Sequence, residues 1–268
     1  METLTKDLED RDMQARREMR RKIFEKLAPV DPELTHARCL GLTHPGTGEW
    51  FLKGPFEQWL RMLPRKRVLW LCGKSGAGKT ILFSNAVERL RRTKGSQDNI
   101  ASAYFYCAFD DASSQDPIFI LGSYLIQLFS CRPDLYQANE AALQSCEPTA
   151  SDILELLQQC CKNYAEVYLF LDALNESAQG EKILKAFHKL ICSSHNVYIV
   201  LTSINNDTSC DDNLKNELKV INFNAIEQRK DFDTYIGARI ATSPKLADLD
   251  EDLQKSIHDT LLRDANGM

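Results

Sequence analysis

The chain has 268 residues and a formal net charge of −5, with 43% hydrophobic and 26% charged residues. These values are typical of a globular protein with one large domain and a smaller addition. The negative charge gives no general electrostatic reason to expect a nucleic acid or an anionic membrane as a partner. No apolar stretch approaches the roughly 20 residues that a membrane-spanning helix needs, so we expect no membrane span.

Acidic residues crowd the N-terminus (Glu2, Asp7, Glu9 and Asp10), which fits neither a secretory signal nor a transit peptide. The nine cysteines include no C-x-x-C pair, and the five histidines show no metal-ligand spacing. We therefore expect a reduced, intracellular and cytoplasmic protein without a structural metal.

Residues from about 3 to 28 predict a charged helix. Met19, Ile23 and Leu27 recur every four residues as one apolar stripe, and basic residues alternate with acids around it. Two interpretations stay open. One is a basic patch for RNA or lipid; the other, which we favour, is a solvated face on a helix packed against a neighbour. A stretch rich in proline and glycine follows and predicts a linker.

An unbroken apolar run at Val68–Cys72 predicts a strand buried on both faces. Directly after it, Gly73–Thr80 (GKSGAGKT) matches the P-loop pattern G-x-x-x-x-G-K-[ST] at every constrained position. A helical apolar pattern follows from Leu82 to Leu90. Phosphate binding requires this order of elements, because the N–H groups of a curled loop and of a helix N-terminus attract an anion.

This arrangement predicts a nucleotide-binding loop; the alternative is a glycine-rich turn without a ligand. Lys79 is expected to reach the β- and γ-phosphates, and the Thr80 hydroxyl to hold Mg²⁺. The predicted nucleotide-binding residues of this region are Gly73, Lys74, Ser75, Gly76, Ala77, Gly78, Lys79, Thr80 and Ile81.

Four more strands are predicted at 101–109, 167–171, 197–201 and 218–223, with helices between them at 118–129, 152–164 and 180–193. Strands that alternate with helices at this spacing predict an α/β fold, with a parallel sheet covered on both sides. From residue 225 onward the pattern is only helical, at about 226–241 and 249–264.

Asp172 directly follows the third strand, where an acid can face the P-loop. Such a carboxylate holds the metal ion in P-loop enzymes, and the small Ala173 beside it leaves room for the ion. Glu176 is a candidate for polarising the attacking water; the alternative is an acid favoured by a helix start. The predicted catalytic residues are Lys79, Asp172 and Glu176, and the predicted metal ligands are Thr80 and Asp172.

Thr202 and Ser203 end the fourth strand. Two roles stay equally open for these hydroxyls: sensing the γ-phosphate, or capping the strand.

Together with the P-loop, the segments Gly46–Leu52 (GTGEWFL), Leu171–Glu176 (LDALNE) and Leu201–Ser203 (LTS) resemble NACHT-type P-loop NTPases. These proteins belong to the signal-transduction ATPases with numerous domains. Within them, the sequence most resembles the nephrocystin-like N-terminal NACHT module of fungal multidomain proteins. The resemblance spans about residues 40 to 268.

The resemblance implies a five-stranded parallel sheet in the order 5-1-4-3-2, and it places Gly46, Thr47 and Gly48 near the base and ribose. With the residue pattern, it divides the chain into four predicted units. These are a charged N-terminal helix (1–30), a linker and base-side segment (31–66), the P-loop NTPase core (67–224) and a partial helical subdomain (225–268).

Two positions depart from the family pattern. Asn175 stands where an acid is common, and Ile204 stands where an arginine usually follows Thr-Ser. Because a missing charge near the γ-phosphate is costly for phosphoryl transfer, these departures predict slow turnover. The family's winged-helix region and repeats are not in this sequence, so we expect a fragment or a short gene product.

The leading functional hypothesis is a signalling switch that binds Mg²⁺ and NTP, hydrolyses the nucleotide slowly and signals through self-association or protein partners. The alternatives are a non-hydrolysing scaffold and, less favoured, a P-loop small-molecule kinase, since residues 225–268 lack an arginine-rich lid. A regulatory GTPase is disfavoured because no N-K-x-D motif exists. ATP is preferred over GTP, and no nucleic-acid partner is expected.

Overall fold

The computed structural model describes residues 2–62, 65–95, 99–144, 148–205, 212–223 and 225–265. Residues 1, 224 and 266–268, at the ends of predicted units, lie outside this set. The division into four units stays a prediction.

Five strands form the central sheet: β1 (Val68–Cys72), β2 (Ile100–Tyr106), β3 (Glu166–Asp172), β4 (Val197–Ser203) and β5 (Leu218–Asn222). They pair in parallel in the order β2-β3-β4-β1-β5. This order is 5-1-4-3-2 counted from the other edge, so the predicted α/β fold and strand order are confirmed. The strands β1, β3 and β4 are almost entirely buried, as expected for a parallel sheet with helices on both faces.

The helices of the described residues are α1 (Glu2–Leu27), α2 (Pro32–Gly41), α3 (Glu49–Phe51), α4 (Glu57–Met62), α5 (Lys79–Lys94), α6 (Pro117–Cys131), α7 (Pro133–Gln144), α8 (Ala150–Cys161), α9 (Gly180–Ser193), α10 (Asp212–Glu217), α11 (Ala225–Thr242), α12 (Pro244–Ala247) and α13 (Glu251–Ala265). The apolar residues of α1, α6, α8 and α9 cover one face of the sheet. Those of α2, α5 and the helical stretch 49–62 cover the other face.

The register of the strands brings their carboxyl ends to one edge. Cys72 at the end of β1 pairs with Ser203 at the end of β4, and Tyr106 at the end of β2 pairs with Asp172 at the end of β3. The loops that follow these strands therefore meet at the same edge, where parallel α/β proteins bind ligands.

The predicted linker is wrong in one respect, because much of residues 31–66 is helical. Asp31 caps α2 by accepting a hydrogen bond from the Glu33 N–H at 2.9 Å. Pro32 then occupies the first turn, where a missing N–H costs nothing. Pro55 lies within a widened helical turn, Leu52–Phe56, between α3 and α4. The prolines that suggested a linker therefore sit at positions where helices tolerate them.

Other elements also differ from the prediction, a strand end and a helix among them. The second strand ends at Tyr106, short of the predicted Phe109, whose side chain is 83% exposed. The helix α7 was not predicted; it buries only Leu135, Tyr136 and Leu143, too few residues for a clear helical pattern.

On the side of the edge strand β2 that pairs with no other described strand, a side chain forms hydrogen bonds with some of the backbone groups. The Tyr104 N–H donates to Gln127 Oε1 at 3.0 Å, and Gln127 Nε2 donates to the Tyr104 carbonyl at 2.8 Å. The carboxamide on α6 thus takes the place that a neighbouring peptide group would occupy.

The C-terminal helices α11, α12 and α13 have a small core of their own. Ile236, Ile240 and Leu262 are its buried members. Among the residues that the structure describes, no helix has both the length and the apolar character needed to cross a bilayer.

We predict that Gly122→Ala lowers the free energy of unfolding by about 2–3 kcal/mol, because the added methyl overpacks the contact of α1 with α6. A Cβ at Gly122 would meet the carbonyl oxygen of Leu27 far inside contact distance, and this neighbour is backbone. Urea unfolding followed by circular dichroism measures the change.

Gly237→Ala is the matched control, because that helical glycine has nothing within 4 Å of its would-be Cβ. It should raise the free energy of unfolding by about 0.5–1 kcal/mol. Equal stability of Gly122→Ala and the wild type would contradict the packing described for α1.

Candidate functional site

The loop between β1 and α5 is curled by glycines in the left-handed region. Gly76 has φ 77° and Gly78 has φ 89°, values at which a Cβ is strained. The Leu82 N–H donates to the Gly78 carbonyl at 3.0 Å, so α5 begins directly after the loop. A loop of this kind at a helix N-terminus offers its N–H groups to an anion.

Lys79 holds its ammonium group within the loop. Its Nζ donates to the carbonyl oxygens of Gly73 at 2.7 Å and Lys74 at 2.8 Å. Burial lowers the pKa of Lys79, and the nearby Asp172 carboxylate opposes this effect. The ammonium therefore lies where it can contact phosphate oxygens bound in the loop.

Asp172 is a buried carboxylate, only 2% exposed, that accepts two hydroxyl hydrogen bonds. Thr80 Oγ1 donates to its Oδ2 at 2.7 Å, and Thr202 Oγ1 donates to its Oδ1 at 2.5 Å. Burial raises the pKa of Asp172, while the two hydroxyls and Lys79 act in the opposite direction. The two predicted metal ligands, 92 residues apart in the chain, are thus in direct contact.

The hydroxyls of Thr202 and Ser203 are both engaged within the protein. Thr202 Oγ1 also accepts the N–H of Ala173, which has φ 54° in the left-handed region. Ser203 Oγ accepts the indole N–H of Trp70 at 2.7 Å and donates to the carbonyl of Asn205. Of the two roles left open for these residues, the hydrogen bonds favour support of the strand end and of Asp172.

Glu176 is half-buried and is held by its neighbour Asn175. Asn175 Nδ2 donates to Glu176 Oε1 at 2.9 Å, and Asn175 Oδ1 accepts the Ile204 N–H at 3.0 Å. The asparagine that departs from the family pattern thus connects Glu176 to the end of β4. Sequence reasoning noted Asn175 only as a missing acid, because this contact joins two distant loops.

The predicted base-side residues lie beside α5 and α11. The Thr47 N–H and hydroxyl both donate to the His44 carbonyl, at 3.2 and 2.8 Å. The Gly48 N–H donates to Asp231 Oδ1 at 3.0 Å. The sequence offered no signal for Asp231, because it lies 183 residues after its partner. Ile81 is half-buried and packs against the core of this face.

We predict that Thr202→Val, which keeps the side-chain shape, destabilises the protein by about 2–4 kcal/mol. The substitution removes a donor from the buried Asp172 carboxylate and leaves the Ala173 N–H unpaired. Thermal and urea unfolding test this.

Thr202→Ser keeps the hydroxyl and is the matched control, with an expected loss of about 1 kcal/mol from the missing methyl group. Wild-type stability in Thr202→Val would show that the two hydrogen bonds contribute nothing.

Solved structures that share part of this architecture include the following three. A DNA replication initiation factor is 18% identical, with 85% of this chain and 61% of that chain covered and a TM-score of 0.44. The replication initiator DnaA bound to AMPPCP and single-stranded DNA is 16% identical, with coverage of 84% and 64% and a TM-score of 0.42. Drosophila ORC bound to DNA is 16% identical, with coverage of 75% and 49% and a TM-score of 0.41. This chain covers less than two thirds of each of these structures.

These structures correct one expectation from the sequence. We expected no nucleic-acid partner because the net charge is negative, yet structures of similar architecture are described as bound to DNA. Net charge averages over the whole surface and does not describe any one face of it. The expectation that no nucleic acid binds was therefore wrong, because a negative net charge does not exclude such a partner.

The sequence comparisons give one family. No curated protein matches the sequence. The family model described as "Nephrocystin 3, N-terminal" matches residues 46–204, more than half of the chain. The match contains the P-loop, Asp172, Thr202 and the base-side residues, and the sheet has the parallel order described above. This chain therefore belongs to the nephrocystin 3 N-terminal family and has a P-loop NTPase-like fold.

Proposed function

We propose that this chain binds a nucleoside triphosphate with Mg²⁺, preferably ATP, and hydrolyses it slowly as a switch of the NACHT type. The observation that carries the proposal is the contact of the Thr80 hydroxyl with the Asp172 carboxylate at the end of the glycine loop, at 2.7 Å. A P-loop module needs its metal-binding hydroxyl and its metal-binding carboxylate at this one place.

The residues present fit a magnesium ion. Mg²⁺ prefers oxygen donors and is usually bound through one or two protein groups together with phosphate oxygens. Thr80 and Asp172 supply a hydroxyl oxygen and a carboxylate oxygen that lie 2.7 Å apart. When bound, Mg²⁺ neutralises the charge that develops on the phosphate oxygens.

Residues of the chain itself would bind the phosphates and orient the attacking water. The loop N–H groups between Gly73 and Thr80 hold the phosphates, and Lys79 contributes a positive charge at the terminal phosphates. Burial raises the pKa of Asp172, while the two hydroxyl donors and the Lys79 charge favour its anionic form beside the phosphates. Glu176, at the end of the short helical turn that follows β3, orients the attacking water.

Slow hydrolysis is supported by the hydrogen bond that occupies Glu176. Asn175 Nδ2 donates to Glu176 Oε1, so the amide takes one acceptor position of this carboxylate and restrains the group that would orient the water. The same observation favours a second candidate, a scaffold in which bound nucleotide holds the fold without being hydrolysed.

The finer parts of the proposal concern signalling. We assign residues 67–224 to the NTPase core and 225–268 to a helical subdomain that responds to the nucleotide, with self-association or signalling partners in the cytoplasm. The support is the contact of α11 with the base-side segment, which links the C-terminal helices to the nucleotide site.

We predict that Lys79→Ala weakens binding of ATP and Mg²⁺ by about tenfold or more, because a charge-assisted contact with phosphate is lost. Lys185→Ala removes an exposed lysine on α9 and should leave the affinity unchanged. Titration calorimetry with ATP, ADP and GTP, each with Mg²⁺ and with EDTA, measures both effects.

Removal of Mg²⁺ should weaken wild-type binding by about tenfold, and Asp172→Asn should abolish this difference. Full ATP affinity in Lys79→Ala would refute the assignment of the loop. Equal wild-type affinity with and without the metal would show that Thr80 and Asp172 are not metal ligands.

We predict that Glu176→Gln binds ATP normally but releases phosphate about a hundredfold more slowly, because the variant cannot accept a proton from water. Phosphate release over hours in purified protein measures the rate. If the wild type binds ATP and releases no phosphate above the buffer rate, the scaffold is correct and slow hydrolysis is not.

A further inference from the structure

Asp231 on α11 holds the base-side segment through both of its carboxylate oxygens. Oδ1 accepts the Gly48 N–H at 3.0 Å, and Oδ2 accepts the indole N–H of Trp50 at 3.1 Å. These partners lie 183 and 181 residues away in the chain. Burial raises the pKa of Asp231, and the two donors oppose this effect. One carboxylate thus joins the first helix of the C-terminal group to residues 48–50.

The segment that Asp231 holds is wedged between α11 and α5. Gly48 has φ 73°, and a Cβ there would meet the Leu82 side chain far inside contact distance. Thr43 Oγ1 donates to Asn85 Oδ1 at 3.2 Å on the same helix. Since α5 starts at the P-loop, the segment is fixed directly beside the helix that carries Lys79 and Thr80.

Further contacts cross from this segment to α11 and to the sheet. The rings of His44 and Tyr235 meet edge to face with centroids 5.7 Å apart. The ring of Trp50 lies 5.5 Å from that of Phe223, whose N–H donates to the Cys72 carbonyl at the start of the loop. The segment therefore lies against Phe223, which borders the start of the loop on the side of β5.

The strand order decides which part of a nucleotide would lie here. The predicted metal ligand Asp172 ends β3, which lies beyond β4 on one side of β1, and β5 lies on the other side. With the terminal phosphates at Thr80 and Asp172, the nucleoside end of an extended triphosphate points toward β5. The base-side segment and Asp231 are on that side.

We propose that Asp231 is a positioning residue that sets the affinity for the nucleoside part of the ligand and couples that part to the C-terminal helices. The inference rests on the proposed nucleotide binding. Asp231 acts through Gly48 and Trp50, which it holds against α5. Loss of its carboxylate leaves two N–H groups without their acceptor and releases the segment, while the phosphate loop itself keeps its contacts.

The test compares ATP with inorganic tripolyphosphate, which has the phosphates of ATP but no nucleoside. Asp231→Asn keeps the side-chain size but presents an amide N–H₂ to one of the two donors. It should weaken ATP binding by about tenfold and tripolyphosphate binding by less than about twofold. Trp50→Phe removes the indole N–H together with one ring of the indole and should weaken ATP binding by about threefold in the same selective way.

Asp233→Asn is the matched control on α11, because Asp233 pairs with His258 and not with the segment. It should change neither affinity. Calorimetry gives the affinities, and thermal unfolding shows that each variant is folded. If Asp231→Asn does not fold, Trp50→Phe alone decides the question.

Unchanged ATP affinity in Asp231→Asn, or in Trp50→Phe where that variant decides, would overturn the inference. An equal loss for ATP and tripolyphosphate would also overturn it, since the residue would then act on the phosphate loop or on the whole fold. A wild-type protein that binds neither compound would overturn the proposed nucleotide binding, and the inference with it.

Discussion

The carboxylate of Asp172 is removed from water, and the carboxyl edge of the sheet is arranged around its two oxygens. Burying an ionised carboxylate costs several kcal/mol unless donors replace the lost water. Thr80 and Thr202 supply these donors from α5 and β4, and the Lys79 charge lies nearby. One buried group thus links the P-loop helix to two strands. The link exists only because the parallel register ends β3 and β4 at the same level.

Much of this arrangement could be predicted from local sequence. The P-loop is a continuous motif, and the buried strands are continuous apolar runs, so the fold class, the strand positions and the candidate residues Lys79, Thr80 and Asp172 followed from neighbouring residues. The segment between α1 and β1 was misjudged because Pro32 and Pro55 are common breakers of helices, and only the three-dimensional context shows that each lies where a helix accepts it. The end of β2 depends on where its partner β3 stops, which no pattern within 101–109 reveals.

The contacts that complete the site are non-local and could not be predicted. Thr202 and Asp172 are 30 residues apart, and Gly48 and Asp231 are 183 apart. A serine, threonine or aspartate carries no sequence signal for a partner at such a distance, because the fold brings the pair together. Asn175 shows the same limit in another form. Its identity indicates a lost acid, whereas its position gives it two partners, Glu176 and the Ile204 N–H.

The carboxamide of Gln127 has a consequence for the protein in crowded solution. A sheet edge with unpaired peptide groups is a template on which another chain can add a strand, and such pairing leads to aggregation. Gln127 occupies both backbone polar groups of Tyr104, in the middle of the edge strand β2. An incoming strand would first have to displace a side chain that already offers the same donor and acceptor. The Gln127 side chain thus contributes to protecting this edge of the sheet, at a position where a sixth strand would otherwise pair.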